Sequence, residues 1–182
     1  MPSPVGHTLL GLGIYTVWCR NLRQWLYQWK IILWVVICAN LPDIDFIPGL
    51  LQGDMSRYHQ TYTHTLGFAL VVTVVTFIVL KIRKVKNCLS VSLLTFTIVF
   101  THIILDTLTC DSRPPIGSQL FWPFSCRYFH FASFFSPVPH SGLSDIFDPL
   151  FIKAIAREII LIGIPVVIVM LWKWKRPAVS GR

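Results

Sequence analysis

Acidic residues are scarce in this chain: eight Asp and Glu stand against sixteen Lys and Arg in 182 residues, a net charge of +8. Charged residues of both signs make up only 13%, where roughly 25% is ordinary for a soluble domain. With 54% hydrophobic residues and a mean hydropathy of +0.62, the missing charge points to lipid as the solvent for much of the surface. CxxC pairs are absent too. Cys19, Cys38, Cys88, Cys110 and Cys126 show no metal-finger spacing, and the first three lie in apolar runs, where a thiol behaves as a small hydrophobe. Free thiols are the expectation, with a Cys110–Cys126 bridge left open for an oxidising compartment. GxSxG, HExxH and P-loop patterns are also missing, which argues against serine-hydrolase, gluzincin and nucleotide-driven chemistry.

The basic residues sit in short patches that flank apolar runs. Arg20, Arg23 and Lys30 form one, Lys81, Arg83, Lys84 and Lys86 a second, and Lys173, Lys175 and Arg176 a third. That is the pattern of cytoplasmic loops in a membrane protein, and it argues against a phosphate-backbone groove and so against nucleic acid. The apolar runs predict about five spans. The first begins near Ser3-Pro4, a capping hydroxyl followed by proline, and reaches Cys19. The second covers Ile31 to Leu41 and ends at Pro42. The third and fourth, His64 to Leu80 and Leu89 to Leu108, approach the ~20 residues that cross the hydrocarbon. The last runs from Ile155 to Trp172. Loops are expected from Asp43 to Thr63 and over 109–154. The fold class is therefore all-α, a multi-span helical bundle in one membrane-embedded domain, residues 1–182, with a loop region at one face.

Placing the three basic patches in the cytoplasm puts the N-terminus outside and the C-terminus inside a cytoplasmic (inner) membrane. Only Lys and Arg fix that orientation, so the other ionisable groups test it. His7, His59, His64, His102, His130 and His140 all fall at or beyond the outer ends of spans. So do all eight acids: Asp43, Asp45, Asp54, Asp106, Asp111, Asp145, Asp148 and Glu158. A purely structural protein gives no reason for such sorting.

Four chain segments can meet there. His7 opens the first span, Asp43 and Asp45 follow the second, His59 and His64 precede the third, and His102 and Asp106 lie near the end of the fourth. The i, i+4 spacing of His102 and Asp106 puts both on one helix face. Imidazole and carboxylate together suit a divalent cation, zinc first and manganese next, as one ion or two. Each piece has a plain alternative: His7 as a packing residue, Asp43 and Asp45 as turn residues, the His102–Asp106 pair as an internal hydrogen bond. Intramembrane ionisable groups are costly, however, and function is their default reading. His130 and His140 stay with the plain reading.

These residues resemble the predicted membrane-bound metal-dependent hydrolases, small inner-membrane proteins of bacteria and archaea. The resemblance rests on Gly6-His7-Thr8, Leu41-Pro42-Asp43-Ile44-Asp45, His59 with Thr63-His64-Thr65, His102 to Asp106 with Thr109, and Phe121-Trp122-Pro123-Phe124-Ser125. A more distant similarity is to zinc-dependent phospholipases C, which also use an early histidine, Pro-Asp-x-Asp and His-x-x-x-Asp. Gln60-Thr61 stands where the family commonly has Arg-Gly, so Arg57 is the candidate to replace that arginine. The resemblance implies a metal-dependent hydrolase acting on a phospholipid or lipid-linked phosphoester. It implies metal ligands among His7, Asp43, Asp45, His59, His64, His102 and Asp106. Asp45 and His59 are the candidate catalytic groups, and Arg57 and Trp122 the candidate substrate contacts. Rival readings are a metal-binding or transport protein and a non-catalytic membrane interaction protein.

Overall fold

The computed structural model describes residues 2–19, 28–53, 55–109, 116–135 and 147–175. Asp54, Cys110, Asp111, His140, Asp145 and the first basic patch at Arg20 and Arg23 lie outside them. Among the described residues the chain is helical and forms no strand; two isolated bridges occur. The helices are α1 (Pro4–Trp18), α2 (Trp29–Asn40), α3 (Phe46–Leu51), α4 (Leu66–Ile82), α5 (Cys88–Thr107), α6 (Pro149–Glu158) and α7 (Ile164–Lys175). A 3-10 segment, Leu41–Asp45, joins α2 to α3, and a π-helical turn, Ile159–Gly163, joins α6 to α7.

Three continuous helical stretches are long and apolar enough to cross a membrane: Trp29–Leu51, Cys88–Thr107 and Pro149–Lys175. Leu66–Ile82 is a shorter apolar helix of 17 residues, and α1 has 15. Two boundaries differ from expectation. Helical structure continues past Pro42 to Leu51 because the proline falls in the first turn of the 3-10 segment, where no amide hydrogen is needed. The last helix starts earlier, at Pro149, because the Asp148 carboxylate accepts from the Leu150 amide at 2.7 Å and caps it. Cys38, Cys88 and Cys126 are free thiols.

Packing follows from small residues at crossings. A Cβ on Gly11 would lie 3.0 Å from Ala39 Cβ and 3.5 Å from Ile98, so glycine lets α1 nest between α2 and α5. Tyr15, Val35, Cys38, Ala69, Leu94, Ile98, Val99 and Ile103 fill the shared core. The first turn of α1 meets the last turns of α5, while Trp18 Nε1 donates to Ser90 Oγ at the start of α5 (3.3 Å), so the two helices are antiparallel.

The long C-terminal helix runs parallel to α1 and grips both its ends. At the N-terminus, buried Glu158 accepts from the Ser3 amide at 2.6 Å and from the Ser3 hydroxyl. At the other end, Lys173 Nζ donates to the carbonyls of Thr16 (2.8 Å), Val17 (2.6 Å) and Cys19 (2.7 Å). An acid at the positive end of a helix and a base at its negative end both oppose its dipole favourably. They also satisfy terminal groups that lipid cannot. Lys173→Met leaves those carbonyls without their donor, and we expect it to destabilise the protein by about 1–3 kcal/mol. A detergent melting curve unchanged from wild type would contradict that role for Lys173.

Candidate metal centre

Each side chain of the centre arrives by a local rule. Ser3 caps α1, its hydroxyl accepting from Val5 N at 3.2 Å and Gly6 N at 3.3 Å, which places His7 one turn in. Thr65 caps α4, accepting from Phe68 N at 3.0 Å, which leaves His64 just outside the helix and facing the bundle. His102 and Asp106 stack along α5 at i and i+4. Asp43 and Asp45 come from the 3-10 segment.

Asp43, His64, His102 and Asp106 each bring one ligand atom to a common point, all within 4.8 Å of one another. His64 Nε2 lies 3.1 Å from Asp106 Oδ2 and 3.6 Å from Asp43 Oδ1. His102 Nε2 lies 3.2 Å and 3.5 Å from the same two oxygens. The two Nε2 atoms are 3.3 Å apart. Despite this crowding, none of the four oxygens of Asp43 and Asp106 has a hydrogen-bond partner of acceptable geometry, though all are buried. Buried polar atoms without partners are rare in proteins. Here they fit a divalent ion: two imidazoles and two carboxylates are the donor set of zinc or manganese.

The tautomers fit as well. His102 Nδ1 is 2.6 Å from the Ala39 carbonyl, an acceptor only, so Nδ1 carries the hydrogen and Nε2 turns a lone pair inward. His64 Nδ1 is 3.0 Å from Asp45 Oδ2. Asp45 therefore stands behind His64 and takes hydrogens from several sides. His59 Nδ1 (3.1 Å), the Gln60 amide (3.1 Å) and Thr63 Oγ1 (2.9 Å) also donate to it. Gln60 adopts a left-handed conformation (φ 62°) that is uncommon outside glycine, and in it its amide reaches the carboxylate. Outer carboxylates and carbonyls of this kind orient metal-binding histidines and raise their basicity.

His7 stacks on His102, ring centroids 3.6 Å apart, with Nε2 3.4 Å from Asp106 Oδ1, the oxygen that turns away from His64 and His102. His59 stacks on Phe46 at 4.2 Å and, with Asp45 and His64, forms a second group of possible ligands. All seven ligand candidates thus lie in or beside one cluster. Arg57 is exposed, its guanidinium 5.7 Å from the Tyr58 ring, and half-buried Trp122 meets Tyr62 edge-on at 5.0 Å.

A model of the YdjM inner membrane protein family matches residues 1–178. The chain belongs to that family. No curated protein and no solved structure shows significant similarity to it. Membership in an inner-membrane family agrees with the three long apolar helices and covers every residue of the His/Asp cluster.

Sequence reasoning missed the supports: the Ala39 carbonyl, Thr63, Gln60 and the Ser3–Glu158 contact. Backbone groups leave no trace in composition. Glu158 did leave one, as the lone acid of the last long helix, Pro149–Lys175. It also explains Gly6 beside His7, since a Cβ there would come within 2.8 Å of the Glu158 carboxylate.

Burial disfavours a charged His64, yet the carboxylates of Asp106, Asp43 and Asp45 close around it outweigh that and hold the imidazole above its usual pKa. A divalent ion binds only the deprotonated imidazole, so at this point it competes with the proton that the carboxylates favour on His64. Metal affinity should rise with pH by about tenfold per unit while the proton is bound. Isothermal titration at pH 6, 7 and 8 measures this, and pH-independent affinity would contradict it. Asp45→Asn, which removes the carboxylate behind His64, should weaken metal binding about 10- to 100-fold while the protein remains folded.

Proposed function

We propose that the chain is a membrane-embedded metal-dependent hydrolase of the phosphoester class, acting at the extracytoplasmic face on a phospholipid or lipid-linked phosphate. The observation that carries this is the buried convergence of two oriented imidazole Nε2 atoms and two carboxylates without hydrogen-bond partners. Asp43, His64, His102 and Asp106 would hold the first ion, zinc before manganese. His7 and the outward oxygen of Asp106 leave room in the reading for a second. The resemblance to membrane-bound metal-dependent hydrolases supports the reaction class.

A divalent ion at this point supplies Lewis-acid chemistry and brings the pKa of a water towards about 7. The chain's own groups do the rest. Asp45 fixes the ring of His64 and hydrogen-bonds His59, so His59 with Asp45 is the candidate acid–base pair. In the net reaction a water oxygen bonds to phosphorus, the ester P–O bond breaks, and the departing alkoxide takes a proton. Arg57 and Trp122 are proposed to contact the substrate. The positive-inside pattern supports an outside N-terminus and an inside C-terminus.

Transport is less well supported. A permeation path needs polar groups through the bilayer, but hydroxyls along α4 and α5 turn back on their own helices. Thr73 donates to Ala69 O, Thr76 to Val72 O, Ser92 to Cys88 O and Thr97 to Leu93 O, at 2.7–2.9 Å.

Purified protein reconstituted with zinc or manganese should cleave phospholipid or lipid-phosphate substrates, lose activity to chelator and regain it with metal. His102→Ala and Asp106→Ala should lose metal and turnover together. Full turnover in either variant, or metal uptake into proteoliposomes without hydrolysis, would overturn the assignment.

A further inference from the structure

Residues 116–135 are not helical, yet they are fastened to the ends of two helices. The amide of Leu66, the first residue of α4, donates to the Leu120 carbonyl at 2.9 Å. The amides of Phe131 and Phe134 donate to the carbonyls of Thr107 and Leu108, where α5 ends, both at 2.9 Å. Paired bonds between Ser118 and Phe129 (3.1 and 3.0 Å) hold the segment to itself, and Leu120 is part of the buried core. His64 precedes Leu66 by two residues, so this is the end of the bundle that carries the His/Asp cluster.

The free side of the segment has the wrong composition for water. Phe124 is 95% exposed, Phe134 63% and Phe131 61%, and Phe121 and Ile116 each 47%. Proteins that live in water rarely present apolar groups so concentrated. Arg127 and Tyr128 are exposed among them, a cation and a phenol of the kind that sits at headgroup depth.

Helix length identifies what covers these rings. Helix α4 packs along α5, which is long enough to cross a membrane. It has only 17 residues, and Lys81 and Arg83 mark its far end. At about 1.5 Å per residue it reaches about 25 Å, roughly 5 Å less than the hydrocarbon layer. The deficit falls at Leu66, where the segment containing Phe121 and Phe124 is attached.

We propose that residues 116–135 form a membrane-immersed collar whose partner is the lipid leaflet at the cluster's end of the bundle. Phe121 and Phe124 complete the apolar height that α4 lacks. Phe131 and Phe134 extend the same surface at the end of α5, and Arg127 and Tyr128 reach the headgroups. The segment that reads in sequence as a loop outside the membrane is thus part of the membrane-facing surface. The collar requires neither a metal nor a reaction, so it stands or falls apart from the hydrolase reading.

The test places para-fluorophenylalanine at Phe124 in the full chain, in phosphatidylcholine nanodiscs, and measures its fluorine relaxation. One relaxation agent is a lipid carrying a nitroxide near the headgroup end of its acyl chain. The other is a water-soluble gadolinium chelate. The same label at Phe77, midway along α4, is the reference for lipid, and the free amino acid is the reference for water. At Phe124 the lipid nitroxide should give a several-fold larger enhancement than the chelate, the order seen at Phe77. Enhancement by the chelate equal to or above that of the nitroxide would place the segment in water and overturn the proposal. Protection from both agents would overturn it too, because the rings would then be covered by protein, such as a second copy of the chain.

Discussion

Charge buried in an apolar bundle must be compensated within the bundle, because lipid offers nothing to replace water. This constraint organises one end of the molecule. Four imidazoles and three carboxylates meet there, nearly all inaccessible to solvent. Asp45 is fully compensated, with four donors around it. Asp43 and Asp106 are not, and their partnerless oxygens face the Nε2 atoms of His64 and His102. One satisfied and two unsatisfied aspartates share the cluster, which marks Asp43 and Asp106 as the stronger ligand candidates and Asp45 as their support. A cation at the convergence removes the imbalance.

The same constraint shapes the scaffold. Helix α1 carries His7 and has hydrogen-bonding groups at both ends that need partners, and one long helix supplies an acid and a base for them. Gly6 admits the Glu158 carboxylate, and the π-helical turn follows directly after it. Such turns are frequent at functional sites because they shift the register of what comes next. Glu158, which is not a member of the candidate metal centre, thus packs directly against the turn that carries His7.

Much of this was legible in the sequence. Apolar runs and the placing of His7, Asp43, Asp45, His59, His64, His102 and Asp106 near their ends are linear features, so the helical bundle and the cluster followed from them. The i, i+4 spacing gave the His102–Asp106 pair its face directly. The roles within the cluster were not legible. Asp43 and Asp45 are two residues apart in one short motif, yet one faces the convergence and the other lies behind His64, and only the 3-10 turn decides which. Pro42 misled in the same place, since a proline that ends one helix and a proline that opens a helical turn look alike in sequence. The Ala39 carbonyl that orients His102 could not be found from residue types at all.

The most direct test of the central claim is the X-ray absorption spectrum of the zinc-loaded protein in detergent. The account predicts about four nitrogen and oxygen scatterers at about 2.0–2.1 Å with the outer-shell pattern of two imidazoles, and loss of the zinc in His102→Ala. A sulfur shell at about 2.3 Å, a first shell without imidazole, or a spectrum unchanged in His102→Ala would contradict it.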